Sequence, residues 1–348
     1  MAFFIYPEFI CTNPLVSATM LPMDTSQYYL GLDVGGTSMK VGIISADGTL
    51  IQTLLQPTNK NAGPQAGLAL MEKVINLCIQ KAGLNLGSIQ AIGAAVPGII
   101  DLKNGVILDA VNLTDWKNVP VRTHLETIFS KPIAFLNDAN AAALGEAWLG
   151  AGKGAESMAF LTLGTGIGGG LIHQGKIIEG RHGLAGEIGH TRIEMSRPRP
   201  CSCGQFGCLE AYAGATSVLK RAYEALAEDF NKISDLHEPA EKKTLSCKDV
   251  FDAARNGDPI ADRLVEETSS ALALGIINIL HFFDPEKVVL GGGMIAAGDD
   301  FLKRIRWFVK DQAFKECAQG EDICFATLGN DAGILGAAIA ARQMLLKN

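Results

Sequence analysis

The chain has 348 residues, 48% of them hydrophobic, and a formal net charge of −7 at pH 7. A chain of this length and apolar content can bury a large core and divide into two domains of ordinary size. The acidic balance, without a run of Lys and Arg, disfavours nucleic acid as a partner. The uncharged, strongly apolar stretch at residues 269–283 is shorter than the ~20 apolar residues of a membrane span, so it predicts a buried helix and no membrane partner.

Residues 1–27 precede the first predicted strand and contain no Lys or Arg, so the positive start of a secretory signal is missing. We expect an N-terminal extension that is disordered in solution, and Met20 and Met23 are alternative translation starts. A cytoplasmic location follows as an expectation. In that reducing compartment the eight cysteines would bind metal or do redox chemistry more often than form disulfides.

Three hydrophobic segments run into glycine-rich turns. The predicted strands are residues 28–32 and 39–44 around Asp33-Val-Gly-Gly-Thr37, residues 158–163 and 170–172 around the turn 164–169, and residues 288–290 before Gly291, Gly292 and Gly293. The first two segments predict β-hairpins. Because glycine lets a backbone approach a ligand closely, the amides of each tip are suited to hold phosphate oxygens. Tight turns without a ligand remain the alternative.

Gly164, Gly166 and Gly169 also match the G-x-G-x-x-G spacing of a dinucleotide-binding fold. That motif must open a helix whose N-terminus binds the pyrophosphate. Here a strand-like run follows, which disfavours the dinucleotide interpretation.

The segments between the hairpins alternate between helix and strand. The prediction is helix 64–82, strand 91–96, helix 121–129 and strand 133–136, an alternation typical of an α/β protein. Residues after the third glycine turn end in a predicted helix, 332–346, whereas the polar residues 228–246 predict an exposed connection.

The strand at 133–136 delivers Asn137 and Asp138 to the start of an alanine-rich helix. A carboxylate at a helix N-terminus is stabilised in its ionised form, which suits a group that accepts a proton from a hydroxyl. The alternative is that Asp138 only caps the helix.

Cys201, Cys203 and Cys208 lie within eight positions. Structural zinc needs four ligands, so a fourth must come from His190 or, less favourably, from Cys247. A disulfide or unrelated thiols are the alternatives. A bound metal would fix the backbone near Glu187 and Glu210, whose carboxylates suit hydrogen bonds to sugar hydroxyls, although either could be a surface charge.

Five segments in this order, LDVGGTSMK, LNDANAAALGE, LTLGTGIGGG, GEIGH and CSCGQFGCLE, resemble the ROK family of sugar kinases and related repressors. The resemblance runs from about residue 28 to the C-terminus. It implies an actin-like, ribonuclease H-like ATPase fold with two α/β domains around a nucleotide and sugar cleft. The implied division is a smaller domain of residues 28–138 and 331–348, and a larger one of residues 139–330 that contains the zinc site.

The resemblance also implies a role for each matching residue. Asp138 corresponds to the catalytic base, and the sugar contacts are Asn137, Asp138, Glu187, His190 and Glu210, with Gly98 in VPGIID and Asn112 in VNLTDW as further candidates. The nucleotide contacts are Asp33, Gly35, Gly36, Thr37, Lys40, Gly164, Thr165, Gly166, Gly168, Gly169, Gly291, Gly292 and Gly293. Zinc would be bound by His190, Cys201, Cys203 and Cys208.

The implied activity is ATP-dependent phosphorylation of a hexose at O6, with Mg²⁺ as cofactor, structural Zn²⁺ and a homodimeric enzyme. The closest likeness is to family members that convert glucose to glucose 6-phosphate. Kinases for N-acetylmannosamine, N-acetylglucosamine, fructose or allose are the alternative. A sugar-responsive repressor is disfavoured, because residues 1–27 lack basic residues and show no helix-turn-helix pattern. A non-catalytic sugar-binding protein is disfavoured by the presence of Asp138 and both phosphate loops.

Overall fold

The computed structural model describes residues 27–110, 113–228, 233–317 and 322–346. The strands in these ranges are β1 (Tyr28–Val34), β2 (Ser38–Ser45), β3 (Leu50–Pro57), β4 (Ile89–Val96), β5 (Ile99–Asp101), β6 (Val106–Asp109), β7 (Lys117–Val119), β8 (Ile133–Asn137), β9 (Ser157–Leu163), β10 (Ile167–His173), β11 (Lys176–Ile177), β12 (Lys287–Gly291) and β13 (Ile323–Phe325). The α-helices are α1 (Gly63–Lys81), α2 (Val121–Phe129), α3 (Asp138–Leu149), α4 (Glu210–Ala213), α5 (Ala215–Glu228), α6 (His237–Glu241), α7 (Cys247–Arg255), α8 (Pro259–Phe283), α9 (Asp299–Gln312) and α10 (Ala332–Leu346).

Two five-stranded sheets repeat one topology. The first has the order β3-β2-β1-β4-β8 and the second the order β11-β10-β9-β12-β13. In both, the central strand pairs antiparallel with the strand that follows it and parallel with a later one. The glycine-tipped hairpins β1–β2 and β9–β10 therefore occupy equivalent positions in the two sheets.

Helices α3 and α10 pack against each other, α10 on β1 and β4 and α3 on β10. Their backbones approach closely because the contact is made at glycines. A Cβ added at Gly145 would lie 2.4 Å from the carbonyl oxygen of Ala332, and one at Gly336 would lie 1.7 Å from that of Ala141. Side chains from both sheets and both helices then form one continuous buried cluster, which includes Leu144, Phe160 and Ile334.

The α/β class and the elements predicted around the two hairpins are confirmed, and α2 and α10 have the predicted bounds. The second turn is shorter than predicted, because β10 begins at Ile167 and so includes Gly168 and Gly169. A Cβ at Gly169 would lie 2.6 Å from the carbonyl oxygen of Gly186. These glycines therefore allow the loop before Glu187 to pack on the strand, and a strand, not a nucleotide-binding helix, follows the turn.

The prediction of an exposed connection at 228–246 was wrong in part. The described part of this segment contains α6, and Leu236 and Leu245 on either side of it are buried in the core of the second half. Burial of two leucines outweighs the polar composition around them. Within the described ranges, no helix combines the length and the hydropathy that a bilayer span requires.

Candidate active site

A cleft of about 610 Å³ lies between the half of the protein built on the first sheet and the half built on the second. Residues that the sequence assigned to three separate motifs line it together: Asp33, Gly35, Thr37, Lys40, Asp138, Gly291, Gly292 and Gly293. The fold thus brings the first hairpin tip, the start of α3 and the third glycine turn to one space.

The first hairpin tip carries a pair of opposite charges. Asp33 and Lys40 are cross-strand partners in β1 and β2, and the Gly35 N–H closes the turn by donating to the Ser38 carbonyl at 2.9 Å. The pKa of Asp33 is raised to about 7, chiefly by removal from bulk water and then by the negative charge of Asp138, with Lys40 opposing both. Gly36 and Thr37 complete the tip, and the Thr37 carbonyl accepts from the Thr58 N–H at 2.9 Å.

Asp138 is the first residue of α3, and it does not cap the helix. The N-cap is Asn137, whose Oδ1 accepts from the N–H groups of Ala139 at 2.9 Å and Asn140 at 3.4 Å. The Asp138 Oδ1 accepts from the Ala139 N–H at 2.8 Å. Desolvation in the cleft raises the pKa of Asp138 to about 6, with the Ala139 N–H lowering it and the charge of Glu187 raising it. A carboxylate with this pKa is ionised at neutral pH and more basic than an ordinary aspartate.

The second hairpin tip is held by the start of α5. Gly164 donates its N–H to the Gly166 carbonyl at 3.0 Å, and the carbonyls of Gly164 and Thr165 accept from the N–H groups of Ala215 at 2.9 Å and Thr216 at 3.2 Å. Next to this tip lies a second cavity of about 370 Å³. Its lining joins Gly164 and Thr165 to Gly293 and to the apolar side chains of Phe251 and Met294.

Glu210 connects the second hairpin to the cysteine cluster. Its Oε2 accepts from the Ile167 N–H at 2.9 Å, directly after the glycine tip, and its Oε1 accepts from the Ser202 hydroxyl at 2.5 Å. A Cβ added at Gly166 would lie 2.2 Å from Oε2. Glycine at 166 is therefore required for this carboxylate to reach the strand.

The three clustered cysteines and His190 form a four-ligand group. Their ligand atoms all lie within 4.8 Å of one another, the Cys203 and Cys208 sulfurs are 3.8 Å apart, and the Cys201 sulfur is 3.6 Å from His190 Nδ1. Sulfurs of a tetrahedral zinc site with ~2.3 Å bonds are separated by ~3.8 Å, so the donor set and spacing fit Zn²⁺. Cys247 begins α7 beside the second cavity instead, and every cysteine within the described ranges is free of disulfides.

Glu187 and Gly98, two other predicted residues, are not among the residues that line the cleft. Glu187 precedes the turn that carries His190, and its charge acts on Asp138. Gly98 forms a turn with φ of 89° before β5, where a Cβ would lie 2.2 Å from the Asp109 carbonyl oxygen. Asn112 is outside the described residues.

Sequence reasoning missed Glu146. This residue lies on α3, is fully buried and lines the cleft. Its carboxylate accepts from the N–H groups of Ala151, Thr327 and Leu328. The available signal was a single charged residue in an otherwise apolar stretch, LGEAW, of the alanine-rich helix.

Comparison with known proteins places these features together in one family. The ROK family model matches residues 29–344. The chain is 38% identical over 320 residues to a glucokinase of Halalkalibacterium halodurans, covering 92% of this chain and 96% of that protein.

Solved structures show the same likeness. A ROK hexokinase from Thermus thermophilus has a TM-score of 0.79 at 32% identity, over 92% of this chain and 100% of that chain. A ROK family glucokinase from Streptomyces griseus, solved in complex with glucose and AMPPNP, has a TM-score of 0.74 at 30% identity, over 91% of this chain and 99% of that chain. The predicted actin-like fold, with two α/β domains around a cleft, is confirmed.

Proposed function

The chain belongs to the ROK family, and on that premise we propose that it transfers the γ-phosphoryl group of ATP to the 6-hydroxyl of glucose. The observation that carries the proposal is Asp138, a carboxylate with a pKa of about 6 at the start of α3, in the same cleft as the glycine tip of the first hairpin. The similarity to a glucokinase and to a glucokinase crystallised with glucose and AMPPNP supports both substrates.

In this reaction Asp138 accepts the hydroxyl proton as the sugar oxygen attacks the γ-phosphorus. The bond between that phosphorus and the bridging oxygen breaks, and ADP leaves. Backbone amides of the tips, those of Gly36 and Thr37 and of Thr165 and Gly166, are suited to stabilise the phosphoryl oxygens, and Lys40 adds positive charge. Mg²⁺ bound with ATP would supply further positive charge on the phosphates.

We assign the sugar pocket to the residues between α3 and the cysteine cluster. Asn137, Glu187, His190 and Glu210 would bind hydroxyl groups, with Gly98 and Asn112 on the side of the smaller domain. His190 Nδ1 faces the sulfur cluster, so zinc at this nitrogen would fix the ring and leave Nε2 to the sugar. The zinc ligands would be His190, Cys201, Cys203 and Cys208, and their role is to orient the pocket.

We assign the nucleotide to both cavities. The triphosphate would lie along Asp33, Gly35, Gly36, Thr37 and Lys40, and along Gly164, Thr165, Gly166, Gly168 and Gly169. The adenosine would lie beside Gly291, Gly292 and Gly293. The apolar side chains of Phe251 and Met294 in the second cavity support an aromatic base at that end.

We also propose the domain division at residues 138 and 331, and a homodimer. The division is supported by the two chain crossings between the sheets, β8 to α3 and β13 to α10. Exposed aromatic side chains on α8, α9 and the residues after α9, namely Phe282, Trp307 and Phe314, support a protein contact there. Sedimentation of the wild-type protein and of Trp307→Ser tests this, with a monomeric wild type as the contrary result.

The deciding experiment measures ADP production with Mg²⁺ and ATP across glucose, mannose, fructose, allose, N-acetylmannosamine and N-acetylglucosamine. We expect the largest kcat/KM with glucose. A larger value with another of these sugars replaces the substrate and keeps the kinase. No ADP production from folded, zinc-loaded protein with any of them contradicts the kinase, and favours a sugar-binding regulator.

A further inference from the structure

Glu146 is a buried acid with no part in the chemistry proposed above. Its side chain is 0% exposed, and it has no cationic partner among the ion pairs found in the described residues. Burial of an unpaired carboxylate is unfavourable unless hydrogen bonds replace its hydration. What the carboxylate binds therefore indicates why it is there.

The partners of Glu146 are three backbone N–H groups and, more distantly, the Thr327 hydroxyl, which donates to Oε2 at 3.5 Å. Oε1 accepts from Leu328 at 2.8 Å and from Thr327 at 3.1 Å, while Oε2 accepts from Ala151 at 2.8 Å and from Thr327 at 3.2 Å. One carboxylate thus ties α3 to the segment that connects β13 to α10. Both elements cross between the two sheets.

That segment continues directly into the residues whose oxygen atoms bind the ammonium group of Lys40. Leu328 precedes a single 3-10 turn, Gly329–Asp331. Lys40 Nζ donates to the Asn330 carbonyl at 3.0 Å and lies 2.6 Å from the Asp331 carboxylate. Lys40 in turn is the cross-strand partner of Asp33 at the tip of the first hairpin.

We propose that Glu146 is a positioning residue for the phosphate end of the cleft: by binding the Thr327 and Leu328 amides it fixes the turn that holds Lys40. This role rests on the proposed function, because it concerns the same nucleotide. It predicts that Glu146 affects nucleotide use and leaves sugar binding unchanged.

Glu146→Gln is the variant of choice, since it keeps the shape. An amide has one acceptor oxygen and one donor group, so it can accept on the side of Leu328 or of Ala151 but not on both. We expect KM for MgATP to rise about tenfold or more, with KM for glucose unchanged. Glu238→Gln is the matched control, an exposed glutamate on α6 paired with Lys242, and should change neither constant.

A merely structural role gives a different result. If Glu146→Gln lowers the melting temperature but leaves KM for MgATP unchanged, or raises both KM values equally, the proposal is wrong. Asp331→Asn should reproduce the nucleotide effect, and its combination with Glu146→Gln should be less than additive, because both act on Lys40. Full additivity also contradicts the proposal.

Amide hydrogen exchange tests the contact without activity. Exchange at Thr327 and Leu328 should be faster in Glu146→Gln than in the wild type, and unchanged exchange overturns the proposal even if the substrate assignment stands. If the variant does not fold, the wild type gives the test: the segment 326–331 should be further protected by Mg²⁺ and AMPPNP, and no protection overturns the proposal. Failure of the proposed function would show separately, as a wild type without ADP production.

Discussion

The two glycine-tipped hairpins have the same place in their sheets but different supports. Charged side chains lie around the β1–β2 tip. Asp33 is the cross-strand partner of Lys40, and Lys40 forms an ion pair with Asp331. The β9–β10 tip is held by backbone hydrogen bonds to the start of α5 and by Glu210, next to the cysteine cluster. One topology thus provides one tip beside titratable side chains and one tip next to a cluster of three cysteines and His190.

The largest expected effect concerns the acid that faces the first tip. Asp138→Asn keeps the shape of the side chain and removes the proton acceptor, so kcat should fall by a factor on the order of 10²–10⁴. Steady-state ADP production measures it. Glucose binding by calorimetry is the control and should persist, and turnover near that of the wild type would exclude Asp138 as the base.

We expect the second hairpin tip to be disrupted when the cysteine cluster loses a ligand. Cys203→Ser removes one of four ligands, so we expect zinc content to fall, the melting temperature to drop and kcat/KM for glucose to decrease by about 10- to 100-fold. Metal analysis and thermal unfolding measure this. Cys317→Ser, at a cysteine outside the cluster, is the matched control. A wild-type protein that binds no zinc would contradict the four-ligand site.

Gly166→Ala separates the contact of Glu210 from the metal. The added methyl group would lie 2.2 Å from Glu210 Oε2, so the carboxylate must leave the Ile167 N–H while the cysteine cluster stays intact. We expect zinc content to be unchanged and kcat/KM to fall by about tenfold, the scale of one lost hydrogen bond to a charged group. Unchanged kinetics would show that this contact does not support the second tip.

The smallest effect is the response of the first tip to pH. The pKa of Asp138 is raised to about 6, so kcat should decline as pH falls through about 6 and the base becomes protonated. Glu187→Gln removes a charge that raises this pKa, and should move the acidic limb to lower pH. An unmoved limb would separate Glu187 from Asp138.

The raised pKa values of Asp33 and Asp138 also predict how the free energy of unfolding changes with pH. Asp33 and Asp138 have folded pKa values of about 7 and about 6, above the ordinary value of 3.8 for an aspartate. The folded state therefore binds more protons than the unfolded state between pH 4 and 7, and the contribution of these groups to the free energy of unfolding decreases as pH rises through that window. Asp33→Asn should flatten this dependence in denaturant titrations across that range.

Local patterns predicted most of the fold. Alternating apolar residues with glycines between them gave both hairpins, and the apolar run after Asp331 gave α10 with its observed bounds. The predicted second turn was too long. The glycines at 168 and 169 lie in a strand and allow close packing, a role that depends on a distant loop.

The site was predictable where its residues lie in motifs, and hidden where contacts join distant segments. Glu210 and Ile167 are 43 positions apart, and Glu146 is 181 positions from Thr327. No periodicity or spacing reports such pairs. The roles of the individual site residues stay predictions, whereas the cleft that collects Asp33, Asp138 and the third glycine turn is a feature of the structure.

The glycine contact between α3 and α10 has a mechanical consequence. At Gly145 and Gly336 the two helices meet backbone to backbone, because neither residue has a side chain. At such a contact the two helices can slide or rotate by small amounts without rotamer changes at these positions. We expect the two halves of the protein to move relative to each other at this contact at low free-energy cost. The release of ADP is then limited by the contacts between ADP and the protein, and not by the packing of the two helices.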